Sequence, residues 1–87
     1  MPNETYCNII ATTDGELRDN ILFKGDAISK PIGAAVEEKA VELFKNYCNV
    51  LGYDETDHCN IEDMVEDGCL CTHNDHIKVY INWPQPQ

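Results

Sequence analysis

One run of the sequence limits the fold more than any other. Between Pro31 and Gly52, the residues Val36, Ala40, Leu43, Phe44, Tyr47 and Leu51 recur at steps of three or four. That spacing draws one apolar stripe along a helix, with Glu37, Glu38, Glu42, Lys45 and Asn46 toward the other face. Ser29 can cap the start, Pro31 fits the first turn, and Gly52 is a good stop. A helix of this kind, over about 31–51, does not stay folded alone in water. It needs an apolar sheet face to cover.

The flanking segments can supply that sheet. Thr5 to Thr12, "TYCNIIAT", is rich in β-formers, and Asp14-Gly15 follows as a hairpin signal. Leu17 to Lys24 is a second β-capable run. Its cluster Ile21-Leu22-Phe23 is continuous rather than alternating, which points to burial on both faces or a bulge. After the helix, "YDETDHC" (53–59) is a polar connection. Asn60 reads as an N-cap with Asp63 three residues on. Ile61, Met64 and Val65 give a short helix one apolar side, and Gly68 ends it.

In the last stretch Ile77, Val79, Ile81 and Trp83 alternate with Lys78, Tyr80 and Asn82, the period of a half-buried strand. "THND" (72–75) can turn the chain before it, because Asn and Asp tolerate left-handed backbone. The order is ββ-α-α-ββ. The expected architecture is α+β: an antiparallel sheet of about four strands from two hairpins, with the long helix and a short acidic one on it. At 87 residues the chain makes one compact domain over 1–87, with "PQPQ" (84–87) as a fraying tail.

Charge is the most unusual property. Sixteen Asp and Glu face six Lys and Arg, a net of −10. Residues 53–87 carry eight of the acids and only Lys78 against them, and 53–77 contain no Lys or Arg. Nucleic acid and anionic membrane would repel this surface, and a basic protein would be drawn to it. The start, "MPNETYCNII", lacks a basic region before a long apolar run, so no signal peptide is expected. No apolar stretch reaches the ~20 residues of a membrane span. The five cysteines cannot all pair within one chain. A cytoplasmic protein with reduced thiols follows as the expectation.

Three kinds of chemistry can be weighed against these letters. Cys69, Cys71, His73 and His76 read C-x-C-x-H-x2-H, and sulfur and imidazole are zinc ligands. Two positions i and i+2 on a strand lie roughly 6.6 Å apart, which suits zinc poorly unless the strand bends. The plainer account makes Cys69 and Cys71 small residues facing the helix, and no cofactor is expected. The acidic run from Asp54 fails as a calcium loop, because its sixth position is Cys59 where glycine is required. No nucleophile elbow, phosphate loop or zincin motif is present, so the chain reads as a non-enzyme.

What remains is the acidic segment itself. Asp54, Glu55, Asp57, Glu62, Asp63, Glu66 and Asp67 are seven carboxylates in fourteen residues, with Asp75 nearby. Glu62 with Glu66, and Asp63 with Asp67, are i,i+4 like-charge pairs, which oppose helix stability. A solvated face kept for solubility is one account. The other is a docking face for the basic groove of a nucleic-acid-binding protein. Duplex DNA carries one negative charge per ~1.7 Å of axis, and a dense line of carboxylates can compete for its seat. Small phage-encoded inhibitors of restriction and CRISPR systems act in this general way. The analogy is one of mechanism only. The eight carboxylates are therefore the expected partner-binding residues of a small inhibitor, as monomer or homodimer. The alternatives are a small zinc domain, or an assembly subunit that pairs an edge strand Ile77–Trp83 with its twin.

Overall fold

A computed structural model describes residues 5–25 and 30–82. Ser29, Trp83 and the tail 84–87, each given a role above, lie outside the described residues. The elements are β1 (Thr5–Thr13), β2 (Glu16–Gly25), α1 (Lys30–Leu51), α2 (Ile61–Asp67), β3 (Cys69–Cys71) and β4 (Ile77–Asn82), with a single 3-10 turn at His73–Asp75. This is the α+β order ββ-α-α-ββ, and the four strands form one antiparallel sheet.

The sheet order is β2-β1-β4-β3. β4 is thus an interior strand, hydrogen-bonded to β1 on one side and β3 on the other. Its main-chain groups are used inside the sheet, so it cannot pair with a twin as an edge strand would. That removes the geometry assumed for an assembly subunit. The two edges are β2 and the three-residue β3.

Register places the core. Ile9 faces Ile81, Ala11 faces Val79 and Thr13 faces Ile77 across β1–β4. Alternation then sends Cys7, Ile9, Ala11, Ile77, Val79 and Ile81 to one side, where all are buried. α1 lies on that side with Val36, Ala40, Leu43, Phe44 and Cys48 buried, and α2 adds Met64. The stripe ends earlier than its spacing implies. Tyr47 is half-buried and Leu51 is 48% exposed, while Cys48 is the last buried member of α1. Gly52 closes the helix at φ 80°, and the Tyr53 amide donates to the Cys48 carbonyl at 2.9 Å.

The first hairpin turns at Asp14 and Gly15, both left-handed (φ 49° and 83°), as a tight two-residue connection requires. A register shift between Ala11 and Thr12 bulges this pair near Arg18. There the Arg18 Nε donates to Thr13 Oγ1 at 2.7 Å. The run Ile21-Leu22-Phe23 lies away from that bulge and is not buried on both faces. Ile21 and Phe23 pack on the core, and Leu22 stands 55% exposed on the opposite face. The Tyr47 hydroxyl donates to the Asp19 carboxylate, tying α1 to the edge strand.

The second hairpin inverts an expectation. Leu70 is fully buried, opposite Val79, and Cys69 and Cys71 are the partly exposed positions. The two cysteines therefore face away from the helix, because in a strand only alternate residues can point inward. The turn that follows uses left-handed Asn74 (φ 61°) and Asp75 (φ 56°). Buried Thr72 organises it. Its Oγ1 accepts from the Ile77 amide at 3.0 Å, and its own amide donates to the Ile77 carbonyl at 3.0 Å.

Candidate functional site

α2 is built by its caps. Asn60 Oδ1 accepts from the Asp63 amide at 2.9 Å, and Gly68 (φ 80°) donates its amide to the carbonyls of Met64 and Val65. Met64 is buried and Ile61 and Val65 pack against the core. That orientation leaves Glu62, Asp63, Glu66 and Asp67 exposed on the outer side. The first two sit in the first turn, where the helix dipole favours them; the last two do not have that help. Among the described residues, the ion pairs are Arg18–Glu16 and Lys39–Glu42, and His76 Nδ1 contacts Asp14. None of the four α2 carboxylates belongs to them.

The other predicted carboxylates are differently placed. Asp54 is engaged locally. Its Oδ1 accepts from the Thr56 amide at 2.9 Å and the Thr56 hydroxyl at 2.8 Å, which holds its carboxyl below the usual range. Asp57 Oδ2 accepts from the His73 amide at 3.2 Å, tying the α1–α2 connection to the turn before β4. Glu55 is half-buried, near enough to Cys48 to oppose its ionisation. Asp75 is exposed and acts in the same way on Cys71. Thus α2 brings four of the eight together on one face, while Asp54 and Asp57 are engaged in hydrogen bonds within the fold.

The zinc-like letters do not converge. Cys69 and Cys71 lie on the open face of β3, and His73 is exposed. His76 Nδ1 is 2.8 Å from Asp14 Oδ1, and its ring stacks on Tyr53 with centroids 5.2 Å apart. Among the described residues, no three His, Cys, Asp or Glu side chains are grouped to hold a metal ion.

Burial pushes the Cys48 thiol up from 9.0 to about 11, with Glu55 and Asp54 adding to it. Cys71 is likewise pushed to about 11, by burial first, then by Cys69 and Asp75. Only thiolates alkylate, so a thiol at 11 is about one part in a thousand reactive at pH 8. Iodoacetamide at that pH is expected to modify exposed Cys59 first and leave Cys48 intact until unfolding, read by peptide mass spectrometry. Prompt labelling of Cys48 in the folded protein would contradict this burial. The sign for stability follows. The folded state keeps protons on Cys48 and Cys71 that the unfolded chain loses near pH 9. Their stabilisation is full below that pH and is lost as pH rises through about 11.

Two acids of α1 join this surface without a signal in the sequence. Helix phase places Glu37 and Glu38 only on the outer face, yet they line one groove together with Glu62 of α2. Only the packing of the two helices brings them together. The described residues thus define an α+β fold, a four-stranded antiparallel sheet with two helices, the shorter of them acidic on its exposed side. No protein-family model matches the chain, and neither a curated protein nor a solved structure matches it. Among the described residues, no helix is long and apolar enough to cross a membrane.

Proposed function

We propose that this chain is a small protein-binding inhibitor, acting in the cytoplasm without chemistry of its own. Its α2 carboxylates dock on the basic surface of a nucleic-acid-binding protein and occupy the seat of the duplex. Phage-encoded inhibitors of restriction or CRISPR systems are the nearest analogy of mechanism. One observation carries the reading. α2 holds Glu62, Asp63, Glu66 and Asp67 exposed on a seven-residue helix, outside every ion pair among the described residues. The i,i+4 repulsions of this arrangement work against the helix. A basic partner would relieve them and would be steered in by the same field.

The test uses the tagged protein as bait in a lysate at low and high salt. The captured protein should elute with duplex DNA and with rising salt. Reversing Glu62, Asp63, Glu66 and Asp67 to Lys is expected to abolish capture. A neutral set, E62Q/D63N/E66Q/D67N, should weaken it strongly, and circular dichroism should show both variants folded. Capture of the same protein by the folded Lys variant at the same salt would leave the acidic face as a solubility device.

A further inference from the structure

α1 and α2 do not close against each other along their outer sides. Between them runs an open groove of about 510 Å³. Its floor is apolar, made by Ala34 and Val41 of α1 and Ile61 and Val65 of α2. Val41, Ile61 and Val65 each pack one flank on the core and turn the other outward, so the floor is an extension of the core left uncovered. Its rim carries Glu37, Glu38 and Glu62, and among the described residues no Lys or Arg lines it. Lys39, beside the rim in sequence, has its Nζ 3.5 Å from Glu42 Oε2.

We infer that this groove takes a basic protein segment that inserts one aliphatic side chain between flanking arginines or lysines. The apolar floor calls for a hydrocarbon group, and the three rim carboxylates call for cations on both sides of it. An acidic or a purely polar segment satisfies neither. The inference rests on the inhibitor reading and sharpens it. The α2 charges attract the partner, and the groove distinguishes one basic segment from another. Seating an apolar anchor next to charged contacts is a common way of reading a helix or peptide in a groove.

Two synthetic probes separate the readings: an arginine-glycine peptide with one central leucine, and the same peptide with glycine in that place. Both are titrated into the isotopically labelled protein at low salt and followed by NMR. The leucine peptide is expected to bind at least about tenfold tighter, the fold-change that burying an aliphatic side chain gives. Its extra shifts should fall at Ala34, Val41, Ile61 and Val65. Ala34→Arg adds charge at an exposed position of the floor without touching the core. It should remove the leucine advantage while the glycine peptide still binds. Val65→Lys should do the same, provided its spectrum is that of a folded protein. Equal binding of the two peptides, with shifts confined to the outer carboxylates of α2, would overturn the groove and leave the inhibitor reading standing. Failure of both peptides to bind at low salt would overturn both.

Discussion

Phe44→Ala is expected to remove a large share of the folding free energy. The side chain is fully buried in the single core shared by α1 and the sheet. Truncating a buried phenylalanine typically costs about 3–5 kcal/mol, from lost transfer energy and the cavity left behind. A chain this long has about 4–13 kcal/mol in total. Urea unfolding followed by circular dichroism should therefore show the midpoint fall to a much lower urea concentration. Phe44→Leu keeps most of the volume and should lose far less. A loss below about 1.5 kcal/mol for the alanine variant would mean that Phe44 does not anchor the helix to the sheet.

The second large effect concerns β3. Leu70→Ala is expected to cost about 2–5 kcal/mol, whereas Cys69→Ser and Cys71→Ser should each cost under about 1 kcal/mol. Leu70 is fully buried opposite Val79, and its two cysteine neighbours lie on the open face. The comparison is sharp because a strand shifted by one residue exchanges its two faces completely. Large losses in both serine variants with a mild Leu70→Ala would place the cysteines inside after all. Both outcomes are read from the same urea curves.

Much of this fold was legible because its signals are local. The repeat of Val36, Ala40, Leu43 and Phe44 sets the buried side of α1 whatever lies beneath it. Asp14-Gly15 turns by its own backbone preferences, and Asn60 and Gly68 cap α2 from adjacent positions. Alternation at Ile77, Val79 and Ile81 likewise needs no knowledge of the neighbouring strands. Other features are decided by distant segments. "CLC" is too short for a period to show, so its facing is set by register with Val79. Leu22 looked buried because its neighbours are apolar, yet the face it occupies is open. That β4 lies inside the sheet depends on pairing with β1, which no nearby residue announces.

The candidate site divides the same way. The outward carboxylates of α2 could be read from helix phase alone. The diversion of Asp54 to Thr56 and of Asp57 to the His73 amide could not, and neither could the groove that joins Glu37 and Glu38 to Glu62. Letters of the right type are only candidates until the packing of two elements decides their distance. The zinc-like series does not gather for this reason: Cys69 and Cys71 share the open face of β3, while the turn leaves His73 exposed and sets His76 against Asp14 and Tyr53.

The central place of β4 also governs the order in which this protein can assemble. β1 and β2 are joined by a tight turn and can meet as soon as they leave the ribosome. Their apolar side is then still short of its inner neighbour, because β1 must wait for β4 across the whole helical region. The bond between His76 and Asp14, 62 positions apart, measures that interval. Closing so long a loop before any contact rewards it slows folding. Until β4 arrives, a nascent chain exposes the unpaired inner edge of β1, a site for mispairing with other chains. Synthesis of β4 is thus the step that joins β1 to β3 in the sheet.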